Sequence, residues 1–148
     1  KSLNMLVFVA SDHAGYTLKT EIWQNLRSVT IECKDLGTFS LGGNTDFSEY
    51  ALKVCAKMKE SDSEDCYGIL VCGSGMGMCM AANRHSHIRC ALCRSTDDAI
   101  ISREHNNANV CALGARFTGE TVAHNIVRAF LNTEFLGGRY KDRMDQIS

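Results

Sequence analysis

Five short apolar runs, at residues 5–10, 30–35, 67–71, 89–92 and 110–113, alternate with longer amphipathic stretches at 16–26, 47–59, 76–83, 96–104 and 120–132; a last short helix is expected to begin near Arg139. The apolar runs are rich in Val, Ile, Leu and Cys, the composition of strands buried on both faces. Regular alternation of strand and helix implies right-handed crossovers, parallel strands and helices over both faces of one sheet. The 148 residues are therefore expected to form a single open α/β domain, with no internal repeat, linker or low-complexity tract. Such sheets take ligands at the carboxyl ends of their strands. The residues just past strands one, three and five matter most: Ser11-Asp12-His13-Ala14-Gly15, Cys72-Gly73-Ser74-Gly75 and Gly114-Ala115-Arg116.

The charge balance narrows the partners. Lys and Arg number 16 and Asp and Glu 17, without a long run of either sign, which argues against nucleic acid or a membrane surface as the main partner. No apolar run approaches the roughly 18 residues of a spanning helix. The first run is too short for a secretory signal and meets charged Asp12 at once, so a cytoplasmic protein with its 8 cysteines reduced is expected. Residues 1–4 read as a tag remnant or a disordered lead-in. Cys90 and Cys93 have C-x-x-C spacing, but on a strand they point to opposite faces and read as core thiols. No His, Cys and carboxylate set has metal-ligand spacing, and His85, His87 and His124 read as loop or helix-surface residues.

The sequence CGSGMG at 72–77 joins strand three to the next helix. It lacks the third glycine of a dinucleotide loop and the Gly-Lys-Ser/Thr of a Walker loop. It also lacks the arginine that a cysteine phosphatase carries six positions after its thiolate, since position 78 is Met. A tight turn with a buried thiol remains one reading. The other is chemical: Cys72 stands ahead of a helix's first turn, where unpaired N–H groups and the helix dipole favour negative charge. The same N–H groups can hold an anionic oxygen, and a base beside such donors suits proton abstraction next to a carbonyl.

Three further clusters carry similar pairs of readings. Asp12 is either the N-cap of the next helix or, with His13, an acid–base pair at the edge that holds Cys72. His105 is either a dipole complement at a helix end or a site residue; its neighbours Asn106, Asn107 and Asn109 suit a closing turn. Because His105 follows a helix and precedes strand five, it belongs at the amino edge of the sheet, and it would most simply reach a site at Cys72 from another subunit. Arg139 and Arg143, four apart, share a helix face that is either solvated or suited to a phosphate dianion, with Arg116 as a third ligand.

DHAG at 12–15, CGSGMG at 72–77 with AANR at 81–84, REHNNAN at 103–109, LGAR at 113–116 and GGRYKDR at 137–143 stand in the order and spacing of the ribose-5-phosphate isomerase B family, whose relatives include galactose- and allose-6-phosphate isomerases. The chain resembles that family over nearly its whole length. The resemblance implies a Rossmann-like three-layer α/β/α sandwich with a five-stranded parallel sheet and no cofactor. It also implies a homodimer or dimer of dimers with shared sites, the helix from about residue 138 lying against the partner. The implied reaction interconverts D-ribose 5-phosphate and D-ribulose 5-phosphate, a pentose phosphate pathway step, through a cis-enediolate. Six-carbon sugar phosphates are the alternative substrates, a non-catalytic sugar-phosphate binder is a second alternative, and a thiol redox protein using Cys72 and Cys79 is a third. Carried over residue by residue, Cys72 is the base, and Gly73, Ser74, Gly75, Met76 and Gly77 form the enediolate loop. With Cys72 present and Met at position 76, the resemblance favours the cysteine branch of the family. His105 and Asp12 assist ring opening, Asn106 holds sugar oxygens, and His13, Arg116, Arg139 and Arg143 bind phosphate. The chain departs from the family at Asp46-Phe47-Ser48, where Asp-Tyr-Pro is usual, and at Tyr140, where His often follows the arginine.

Overall fold

The computed structural model describes residues 5–29 and 31–148; the expected lead-in at 1–4 and the first residue expected in strand two, Thr30, lie outside them. Five parallel strands, β1 (Leu6–Ser11), β2 (Glu32–Asp35), β3 (Cys66–Cys72), β4 (Cys90–Leu92) and β5 (Val110–Gly114), form one sheet in the order β2-β1-β3-β5-β4. Six helices accompany them: α1 (Tyr16–Ser28), α2 (Phe47–Glu60), α3 (Met76–Ala82), α4 (Thr96–Glu104), α5 (Glu120–Asn132) and α6 (Arg139–Asp145).

Strand order and handedness decide which face each helix covers. The step from β1 to β2 runs one way along the sheet, the steps from β2 to β3 and β3 to β4 run the other way, and β4 to β5 turns back. Right-handed crossovers then put α1 and α4 on one face and α2 and α3 on the other. The two cores follow that division. Leu18, Ile22, Leu26, Ala99, Ile126 and Phe130 pack on Val7, Val9, Ile69, Val71 and Leu113, while Ala51, Val54, Cys55, Met78 and Ala82 pack on Phe8, Ala10, Leu70 and Cys72. Successive strand residues alternate between the cores, as a pleated sheet covered on both sides requires.

β2 departs from the expectation of burial on both faces. Glu32 and Lys34 are exposed, while Cys33 and Asp35 are half-buried. Its place at the sheet edge is the reason: only β1 pairs with it. Beyond β2 the chain is pinned by Lys19, whose side chain is 1% exposed and whose ammonium donates at 2.8 Å to both Asp35 Oδ2 and the Thr38 carbonyl. Gly37 and Thr38 extend the pairing along β1 through Ser11 N–H to Gly37 O at 2.7 Å and Thr38 N–H to Ser11 O at 2.9 Å. The loop that follows, residues 39–46, is thereby directed over the carboxyl end of β1. Winding reverses between β1 and β3, which opens a crevice at their carboxyl ends.

Candidate active site

That crevice gathers most of the expected site residues. Register pairs Ser11 with Val71, so Asp12 and Cys72 are the next neighbours across two strands about 5 Å apart. Gly15 passes so close to β3 that a Cβ there would lie 2.4 Å from the Val71 carbonyl oxygen; glycine is required for the first loop to lie on the third strand. Asp12 caps the 3-10 turn His13–Gly15, its Oδ1 accepting the Gly15 N–H at 3.1 Å. Among the described residues its second carboxylate oxygen has no hydrogen-bond donor, so capping leaves one oxygen for chemistry.

Cys72 is the last residue of β3 rather than the first beyond it, and it is 5% exposed. Its sulfur accepts the Gly75 N–H at 3.1 Å. Gly75 sits at φ +80°, and a Cβ on it would meet Leu92 Cδ1 at 2.7 Å and the Leu113 backbone at 2.9 Å. The Met76 N–H donates to Ser74 Oγ at 3.2 Å. Two of the loop's N–H groups are thus used internally, which corrects the picture of a fully open cradle. Among the described residues the N–H groups of Ser74 and Gly77 have no partner. The Arg116 N–H donates to Gly73 O at 2.9 Å, and its guanidinium lies over Gly73, 3.2 Å from where a Cβ would stand. The Phe47 ring lies against Gly77, 2.7 Å from a Cβ position there, so the departure at position 47 puts an apolar edge beside the loop.

His13 is held by a residue that the sequence reading missed. Thr45 Oγ1 accepts the His13 backbone N–H at 2.7 Å, and the Thr45 N–H donates to His13 Nδ1 at 3.3 Å. With Nδ1 accepting, the proton of the neutral ring is on Nε2. Nothing in local spacing points to Thr45, because it lies 32 residues away and reaches His13 only through the loop pinned by Lys19.

His105, Asn106, Arg139 and Arg143 form a second cluster at the amino edge of the sheet. His105 caps the end of α4 and stacks on Tyr140 of α6, with centroids 4.3 Å apart and planes at 5°. Arg139 Nη2 donates to Tyr140 Oη at 3.1 Å, and the Arg139 and Arg143 guanidiniums lie 5.1 and 5.8 Å from the Tyr140 ring centre. Asn106 Nδ2 contacts Met144 Sδ at 3.4 Å. The turn beneath is clamped by Arg103, 4% exposed, whose Nη1 donates to Asn107 Oδ1 at 3.1 Å, and by Arg89, whose Nε donates to Asn107 O at 2.7 Å. Asn107 takes φ +49°, the left-handed conformation that asparagine tolerates best among non-glycine residues. Asn107 and Asn109 are therefore turn residues, while His105 and Asn106 project from the turn. β5 spans roughly 16 Å at about 3.3 Å per residue, which separates this cluster from Cys72 within one chain.

Two histidines read as loop or helix-surface residues do stand in a loop and on a helix, but both are partly buried. His87 is half-buried, its Nε2 2.8 Å from Cys55 O, because the loop before β4 folds back on α2. His124 is also half-buried and lies 3.5 Å from Glu120 on α5, with Glu21 of α1 beside them; their ligand-capable atoms fall within 4.8 Å of one another. Burial and then Glu120 raise the Glu21 carboxyl above the usual carboxylate range. The spacing of these residues gave no sign of the group, which joins two helices on the α1–α5 face. Cys90 and Cys93 do serve different faces of the sheet, and Cys79, which only the thiol redox alternative would pair with Cys72, faces Cys90.

A parallel α/β sheet whose winding reversal holds a thiol, a carboxylate and free backbone donors, with a histidine and an arginine beside them, defines an enzyme for small anionic substrates. The chain belongs to the ribose/galactose isomerase family, whose model matches residues 7–147. It is similar to ribose-5-phosphate isomerase B of Clostridium thermocellum, with TM-score 0.92 and 40% identity over 97% of this chain and 95% of that one. The structure of the Mycoplasma genitalium enzyme with bound ribulose-5-phosphate matches with TM-score 0.92 and 40% identity over 97% of this chain and 93% of that one. Ribose-5-phosphate isomerase B of Escherichia coli is 38% identical over 93% of this chain and 90% of its own length.

Proposed function

We propose that the chain is one isomerase domain that interconverts D-ribose 5-phosphate and D-ribulose 5-phosphate. The observation that carries this reading is Cys72 at the β1–β3 crevice, its sulfur held by the Gly75 N–H at 3.1 Å beside Asp12. Cys72 takes the proton from C2 of the opened aldose and returns it to C1 on the same face. The Ser74 and Gly77 N–H groups receive the enediolate oxygen, where fixed donors act without reorganisation. Gly73 and Gly75 keep side chains out of that space, and Met76 borders it. Asp12 handles the hydroxyl proton during ring opening. The His13 Nε2–H and Arg116 hold the phosphate.

His105, Asn106, Arg139 and Arg143 complete the site from a second copy of the chain, whose amino edge faces this carboxyl edge. Their separation from Cys72 within one chain supports a homodimer with shared sites. In α6 no residue is buried, which leaves its surface free to lie against the partner. The chemistry fits a cytoplasmic location; among the described residues no helix is long and apolar enough to cross a membrane.

The test is isomerase assay of the purified protein with ribose 5-phosphate and allose 6-phosphate in buffer containing EDTA. Turnover of ribose 5-phosphate, unaffected by EDTA, is expected. Cys72→Ala should lower kcat by about a thousandfold, within the range for a lost general base, and leave substrate binding within a few-fold. Turnover of the six-carbon sugar alone overturns the substrate. Undiminished solvent-proton exchange into the sugar with Cys72→Ala overturns the mechanism.

A further inference from the structure

The isomerase site uses one of the 8 cysteines and leaves the others without a role. Four of those gather around β4 as two neighbouring pairs, Cys79 with Cys90 and Cys93 with Cys111. The second pair is wholly buried, Cys93 and Cys111 both being 0% exposed. The first pair is half-exposed and joins α3 to β4. Cys79 Sγ lies 3.5 Å from the Cys90 carbonyl oxygen, and Asn83 Nδ2 points at the same sulfur from 3.6 Å. Asn83 holds the two elements in register, since its Nδ2 also donates to Cys90 O at 2.9 Å and its Oδ1 accepts the Cys90 N–H at 2.8 Å. Cys90 and Asn83 open onto a cavity of about 420 Å³ that Ala91, Asn106 and Met144 also line.

The two thiols are unequal. The hydrogen bond from Cys90 and a backbone bond at Leu92 bring Cys79 down to about 7, against the opposing effect of burial. Cys90, which keeps the proton, is pushed well up by the same bond and by burial. Cys79 is therefore the more readily ionised thiol of the pair, with a neighbour that holds its proton. Cys33 and Cys55, raised by burial to about 12 and about 11, lack this activation.

We propose that Cys79 and Cys90 are a hydroperoxide-reactive dithiol, with Cys79 the sulfur oxidised first and Cys90 the one that closes a disulfide. The Cys79 thiolate attacks one oxygen of hydrogen peroxide; the S–O bond forms, the O–O bond breaks, and hydroxide leaves to take a solvent proton. Sulfur has then lost two electrons to the peroxide and is a sulfenic acid. Cys90 Sγ attacks it, the S–S bond forms, and the hydroxyl leaves with the Cys90 proton as a second water. The protein ends two hydrogens lighter, with α3 tied to β4.

The test uses wild type and a Cys72→Ala chain, which removes the competing active-site thiol; its readout is chemical and independent of isomerisation. Each is treated with hydrogen peroxide, blocked with iodoacetamide and cut with trypsin, which cleaves after Arg84 and Arg89 and so separates the two cysteines. A peptide pair joined through Cys79 and Cys90 is expected in both proteins. In Cys90→Ser the joined pair should vanish and Cys79 should be trapped by dimedone as a sulfenic acid. Before peroxide, Cys79 should react with iodoacetamide at pH 7 at least about tenfold faster than Cys66, whose thiol burial pushes up. Cys79 and Cys90 both remaining alkylatable after peroxide exposure overturns the proposal, as does a joined pair that persists in Cys79→Ser.

Discussion

Thr45 is the residue on which the aim of His13 depends. Its hydroxyl takes the backbone N–H at 2.7 Å and lies 3.2 Å from Nδ1. Thr45→Val keeps the side chain's shape and its backbone N–H but removes the hydroxyl. Losing one hydrogen bond of about 1 kcal/mol should raise KM for ribose 5-phosphate about fivefold, because His13 would hold the phosphate in ground state and transition state alike. kcat should stay within about twofold; a fall in kcat at constant KM, measured by steady-state assay, would instead give Thr45 a part in proton transfer. At this scale the sequence was legible wherever a residue's neighbours in the chain make its setting. Cys72 stood out because strand and glycines flank it, and Asp12 because it follows a strand. Thr45 had no such signal, since its partner is distant in sequence.

The loop carrying Thr45 is only as well placed as the element that anchors it. Lys19 on α1 is buried and bonds both Asp35 at the end of β2 and the carbonyl of Thr38. Removing the ammonium leaves the Asp35 carboxylate, 11% exposed, without its counter-charge. Lys19→Met should therefore destabilise the fold by about 3 kcal/mol, and Lys19→Met with Asp35→Leu should regain most of it, because the desolvated charges then disappear together. Urea unfolding of the two variants checks this; equal losses would mean that the pair contributes through Thr38 and not through charge. Helix and strand periods gave the elements themselves, with α4 and α5 matching the expected 96–104 and 120–132. The sequence was less informative about β2, whose edge position depends on strand order, and about Lys19, a helix residue whose burial follows from the loop folded over it.

At the scale of the whole molecule, the decisive fact is that one chain divides its expected site between two edges of the same sheet. Cys72 ends β3 and Asp12, His13 and Arg116 lie past the carboxyl ends of β1 and β5, while His105, Asn106, Arg139 and Arg143 cluster with the turn before β5. Alternation of strand and helix was enough to place His105 at the amino edge. What the pattern did not contain was Tyr140 stacked on His105, which joins α6 to that turn and makes four side chains one unit. In the proposed homodimer, a two-fold pairing would set the amino edge of each chain on the carboxyl edge of the other and form two equal sites, each drawing on both chains. Such sites can be complemented. Cys72→Ala and His105→Ala chains should each be nearly inactive alone. Unfolded together in equal amounts and refolded, they should regain about a quarter of wild-type activity: random pairing makes about half the dimers mixed, and each mixed dimer rebuilds one intact site of its two. Activity that stays at the level of the separate variants, with mixed dimers demonstrated by differential tagging, would place both residues in the same chain's site and require His105 to reach Cys72 without a partner.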